Sequence, residues 1–216
     1  MKTHDAYPAY TRPERIADGT VHALGVIASV AGAVMLIAFA VMGTDSAAIV
    51  AGVSVYAVAL VATFSASAFY HFTPWESIRP TLRRFDHAAI YVKIAGTYTP
   101  LVVIIGSAFA YGVLGVVWAL AVIGVCAKLF FWRTPGRLGP WLYLGMGWLS
   151  LTIFWPLFGL IPVGASVLIT AGGLLYSLGV PFYATEKLRF SMAIWHGFVL
   201  AASACFFAAI VWGVLA

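Results

Sequence analysis

HALGVIASVAGAVMLIAFAVM, residues His22 to Met42, contains no Asp, Glu, Lys or Arg. It matches the roughly 20 apolar residues an α-helix needs to cross a bilayer. A second uncharged stretch, Ala47 to Tyr70, follows after Gly43-Thr44-Asp45, a turn that brings it back antiparallel to the first. The apolar run from Ile94 to Ala127 is too long for one crossing, and Gly106, Ser107 and Gly112 place a turn near its middle. The third span is expected at about Asp86 to Ser107. Leu138 to Tyr183 folds back at Pro156, Gly159, Pro162 and Gly164, which gives spans five and six. Met192 to Leu215 supplies the seventh. The predicted fold is therefore all-α, an integral membrane bundle of seven transmembrane helices. Residues 1–21 form an N-terminal segment and residues 22–216 the transmembrane domain.

Composition and charge agree with that class. Hydrophobic residues make up 63% and charged residues 9% of the chain, against about 45–50% and 25% in soluble domains. All twelve basic residues lie at or near alternate connections. Lys2, Arg12 and Arg15 precede span one; Arg79, Arg83 and Arg84 lie between spans two and three, with Lys93 two turns into the third. Lys128, Arg133 and Arg137 lie between four and five, and Lys187 and Arg189 between six and seven. The positive-inside tendency puts the N-terminus in the cytoplasm and, with an odd number of spans, the C-terminus outside. The net charge of +5 suits an anionic leaflet and calls for no nucleic acid. The polar first residues do not read as a signal peptide. Cys126 and Cys205 sit in apolar segments with no CxxC spacing, so neither a disulfide framework nor a cysteine metal site is expected. There is no internal repeat of the transporter kind and no glycine-rich filter.

Polar residues gather where three helices meet the expected cytoplasmic side: Ser67 and His71 closing span two, Asp86 and His87 opening span three, and His196 near the start of span seven. Ionisable groups at such depth usually face the bundle interior and find partners there. Ser67 and His71 share a helix face at i, i+4, so the hydroxyl can orient the imidazole or a water on it. Imidazoles and a carboxylate around one point suit zinc; residues near a helix end can equally be satisfied by interfacial water. Lys93 is expected to snorkel to the interface, His87 to face headgroups or solvent, and Asp86 has Lys93 and Arg83 as alternative partners. Glu14, Asp18 and His22 form one stripe expected to cap or seat the first helix. Ala31-Gly32-Ala33 and Ala171-Gly172-Gly173 read as helix-packing sites.

Taken in order, five segments resemble the hemolysin III family, the bacterial branch of the progestin and adipoQ receptor group. They are Glu14-Arg-Ile-Ala-Asp18-Gly-Thr-Val-His22, Ser67-Ala-Phe-Tyr-His71, Asp86-His-Ala-Ala-Ile, Ala95-Gly-Thr-Tyr-Thr-Pro100 and Ala193-Ile-Trp-His196. The resemblance implies a seven-helix protein of the bacterial inner membrane with a cytoplasmic N-terminus. It also implies a zinc ion held by His71 and by two histidines four apart in the last helix. His196 matches one of these. Met192 stands at the other, and Phe206 replaces a further histidine common in the bacterial branch. A thioether is a soft, neutral ligand poorly matched to zinc. The site is then either degenerate or rearranged, with His71, His196 and Asp86 as metal ligands and a fourth position for water. Asp86 is alternatively the general base beneath Ser67.

Three functions follow as expectations. The first is a zinc-dependent hydrolase of a lipid amide or ester, ceramidase-like by the resemblance of the wider group, serving membrane lipid or membrane-energetics homeostasis. The second is a non-enzymatic membrane sensor, channel or pore-forming protein. The third, a receptor, has little support because the outer connections are only a few residues long. Membrane lipids are the expected partners in each case.

Overall fold

The computed structural model describes residues 10–131, 138–185 and 188–215. Lys2, Arg133, Arg137 and Lys187 of the charge pattern lie outside the described residues. Regular structure among the described residues is helical throughout: α1 (Arg12–Gly43), α2 (Ala47–Phe72), α3 (Arg79–Ile105), α4 (Ala108–Phe130), α5 (Leu138–Trp148), α6 (Leu151–Phe158), α7 (Val163–Ala184) and α8 (Ser191–Leu215). Seven segments are long and apolar enough to cross a membrane, the fifth being Trp141–Phe158, which joins parts of α5 and α6. The protein is a multi-pass membrane protein.

Local chemistry sets the helix ends. α1 begins at Arg12, well before the uncharged stretch. Thr11 caps it, and the Glu14 carboxylate accepts from both the Thr11 backbone N–H, at 2.9 Å, and the Thr11 hydroxyl, at 2.6 Å. Ser46 caps α2 and Ser107 caps α4 through their side chains. α3 stops at Gly106, whose φ of 66° is left-handed and favours glycine. Gly112 lies inside α4 and makes no turn. Pro156 likewise sits inside α6, so the chain reverses between α6 and α7, at residues 159–162. The fifth crossing is interrupted at Leu149-Ser150. There the Tyr98 hydroxyl reaches the Met146 carbonyl at 2.7 Å, an acceptor left where α5 ends, and lies 3.0 Å from the Gly147 carbonyl, which also accepts from the Ser150 N–H.

Successive helices α1 to α4 pack as neighbours, α7 packs on α8, and α8 closes against α1 while touching α3. α3 also meets α5 and α6. One core cluster includes Leu36, Tyr56, Leu60, Phe64, Ile169 and Ile210, and a second includes Tyr91, Tyr98, Val117, Met146 and Ile153. Small residues allow close approach: Gly25 lies under the Phe64 ring, Gly32 against Phe207, and Gly172 against Phe206. Outward-facing Ile27, Val34, Met42, Val58, Ile123 and Trp155 are exposed, as expected for a surface solvated by lipid tails.

This packing brings the starts of α1, α3 and α8 and the end of α2 to one end of the bundle. Arg79 pins that end. Buried, it donates to the Tyr70 carbonyl (3.0 Å) and the Thr73 carbonyl (2.7 Å) at the close of α2 and pairs with Glu76 (2.8 Å).

Candidate metal centre

Three buried imidazoles from three helices meet at that end. His22 comes from α1, His71 from α2 and His196 from α8. Their ring centroids are 5.1 Å (His22–His71), 4.3 Å (His22–His196) and 4.6 Å (His71–His196) apart. One nitrogen from each lies within 4.8 Å of the others. A tetrahedral zinc with bonds of about 2.0–2.1 Å needs nitrogens about 3.3 Å apart, so the rings must close in by an ångström or so around an ion. Sequence reasoning brought His71 and His196 together and placed His22 elsewhere, on a stripe that seats α1.

Hydrogen bonds fix how the rings present themselves. His22 Nδ1 lies 2.8 Å from the Asp18 carbonyl oxygen, which can only accept, so Nδ1 carries the hydrogen and the neutral ring has its lone pair on Nε2. His196 Nδ1 donates to Asp18 Oδ1 at 2.6 Å, which in the same way leaves Nε2 to bind. The Asp18 carboxylate thus stands behind His196 as carboxylates stand behind metal-ligating histidines, and its oxygens lie 3.6 Å from His22 Nδ1 and 3.7 Å from His71 Nδ1.

Ser67 lies one turn before His71 on α2. Its hydroxyl is 3.2 Å from His22 Nε2, a lone pair that a cation would take in its place. Three imidazole nitrogens from three separate helices are a zinc-type donor set.

Other expectations are revised by the packing. Glu14 does seat α1: besides capping it, the carboxylate accepts from the Phe190 backbone N–H at 3.1 Å, just before α8. Asp18 and His22, one and two turns further, belong to the centre. The parallel spacings Asp18-x-x-x-His22 and Ser67-x-x-x-His71, on helix ends that meet, were the available signal. Lys93 does not snorkel, because its face of α3 is turned into the bundle, where Nζ donates to Ser203 Oγ at 2.6 Å. His87 is not turned to solvent; its Nδ1 donates to the Arg83 carbonyl at 2.9 Å and its Nε2 lies 3.3 Å from the Tyr183 hydroxyl. Met192 lines a small cavity with Asp18, Glu14, Phe72 and Phe190 beside the centre.

The family model described as "Haemolysin-III related" matches residues 11–207. The chain belongs to the haemolysin-III family. Two curated members show the same extent of similarity. The Bacillus subtilis (strain 168) protein named "Hemolysin-3 homolog" is 36% identical over 199 residues, covering 92% of this chain and 93% of its own. The Bacillus cereus protein named "Hemolysin-3" is 36% identical over 203 residues, covering 94% and 92%. Within this haemolysin-III chain the matched residues include all three histidines, Asp18, Ser67 and Asp86.

Proposed function

We propose that this haemolysin-III family protein binds zinc through His22, His71 and His196 and hydrolyses an amide or ester of a membrane lipid, in the service of lipid homeostasis. The basic end of the bundle, which carries the site, faces the cytoplasm. One observation carries this reading: three buried imidazoles converge from three helices, two of them with Nδ1–H committed to Asp18 and Nε2 left to bind.

Bound there, zinc supplies Lewis acidity and lowers the pKa of a water towards neutrality. In this reading Asp86 takes the proton from the attacking water and returns it to the departing amine or alcohol. That role leaves Asp86 out of the ligand set and gives its position to His22. Asp18 holds His196 in its binding tautomer.

Elemental mass spectrometry of purified protein, paired with fatty-acid release from ceramide and from phospholipid vesicles, tests this. The expected result is near-stoichiometric zinc, lost in His22→Ala, His71→Ala and His196→Ala. Asp86→Asn should keep the metal and lose turnover by about 10²–10⁴-fold. Metal-free protein with full turnover would overturn the reading. Full metal without turnover on either lipid would favour the non-enzymatic alternative, in which the ion ties α1, α2 and α8 together in a sensor.

A further inference from the structure

At the basic end of the bundle the second turn of α3 lies against the last turn of α4. Arg84 joins them: its Nη1 donates to the Leu129 carbonyl at 3.2 Å. The side chain is exposed. Among the described residues this is its only hydrogen bond, and no carboxylate pairs with it. Half-buried Lys128, next to Leu129 in the chain, brings a second cation to the same turn. Aromatic rings follow on both helices: Phe85 is 51% exposed, Phe130 73% and Phe131 77%. About 8 Å further into the bilayer along α4, Val122 and Ile123 are exposed as well.

The carbonyl end of a helix carries about half a negative charge, which one cation more than offsets. Arg84 and Lys128 bring two. Asp86 is buried, and the sequence from His87 to Thr185 contains no Asp or Glu, so α4 and the helices that follow it up to α7 supply no counter-charge. Held at one nitrogen, the Arg84 guanidinium keeps its other N–H donors for a planar partner such as a phosphate. We propose that Arg84 and Lys128, with the rings beside them, seat the headgroup of one anionic phospholipid on the α3–α4 edge of the bundle, a site apart from the metal centre.

Charge and amphipathy together select the partner. A zwitterionic headgroup neutralises its own phosphate, whereas an anionic one brings a net negative charge to the excess of positive charge here. A soluble phosphate ester would satisfy the cations and leave Phe85, Phe130, Phe131 and the aliphatic face beyond them uncovered. A phospholipid meets both, with its phosphate at Arg84 and Lys128 and an acyl chain along Val122 and Ile123.

Native mass spectrometry of the full-length protein in detergent, titrated with phosphatidylglycerol or with phosphatidylcholine of matched chains, tests this. The wild type is expected to bind its first phosphatidylglycerol about 25-fold more tightly than phosphatidylcholine, from two basic residues that contribute about fivefold each. Arg84→Gln keeps an N–H for Leu129 and removes the charge, so it should cut that preference about fivefold, as should Lys128→Gln. Arg12→Gln, at the start of α1, should change it by less than about twofold. Equal affinities for the two lipids in the wild type overturn the site, and so does a preference that survives both Arg84→Gln and Lys128→Gln or falls as far in Arg12→Gln. Displacement of the lipid by millimolar glycerol phosphate overturns the lipid assignment in favour of a soluble phosphate ester. The readout needs neither metal nor turnover, so failure of the metal reading leaves this one standing.

Discussion

Replacing Asp18 by Asn keeps the side chain's shape and an oxygen able to accept from His196, while removing its charge. The wild-type contact is a charge-assisted hydrogen bond of 2.6 Å. Bonds to charged groups contribute about 1.5–3 kcal/mol and neutral ones about 0.5–1.5, so the substitution should cost about 1–2 kcal/mol of ligand orientation. That is about 5–30-fold in metal affinity, overlapping the lower part of the 10–100-fold span seen when partners behind metal ligands are removed. Asp18→Ala should approach the upper end, since the Oδ2 facing His71 at 3.7 Å goes as well. Competition with a fluorescent zinc chelator, on protein purified in detergent, measures the affinity directly. Glu14→Gln is the control. It sits one turn earlier on α1 and contacts Thr11 and Phe190 rather than the rings, so it should shift affinity by less than about twofold. If Asp18→Asn binds zinc as tightly as the wild type while His196→Ala does not bind, the assignment of Asp18 as the group that orients His196 is refuted.

Tyr98→Phe should lower stability by about 1–2 kcal/mol, because the Met146 carbonyl at the break between α5 and α6 loses the hydroxyl donor while Gly147 keeps the Ser150 N–H; thermal unfolding in detergent reads the loss. Gly25→Ala should destabilise by about 1–3 kcal/mol through overpacking against Phe64, whose ring lies 2.5 Å from the added carbon, and the same unfolding measurement checks it. Glu76 lies between spans, and its hydrogen bond to Arg79 holds its pKa below the ordinary 4.5. A depressed carboxylate pKa stabilises the fold above the unfolded value and stops doing so as pH falls through the folded one. Glu76→Gln should therefore lower the melting temperature at pH 6 and cease to do so in strong acid.

The bundle was legible because its signals are long and redundant: uncharged runs of about 20 residues with basic residues at alternate ends leave few other folds. Details that depend on tertiary packing were not. Pro156 reads as a breaker by propensity, yet the chain turns only after α6. Lys93 reads as a snorkelling residue because spacing says how deep it lies but not which way α3 is rotated, and rotation is what carries Nζ to Ser203. The same limit applied to His22. Its stripe with Asp18 and Glu14 was visible, and two of the three face the centre while Glu14 docks on the start of α8. Which neighbour a stripe meets depends on α8 closing against α1, a contact between distant parts of the chain.

That closure has a consequence for how the protein is made. His22 leaves the ribosome long before His196, so the three imidazoles cannot meet until α8 has entered the bilayer and found α1. Until then α1 and α2 bring together only His22 and His71, beside Asp18, without the third imidazole. The centre therefore reports completion: a chain stalled or truncated before α8 presents an inserted, helical protein that cannot close its site.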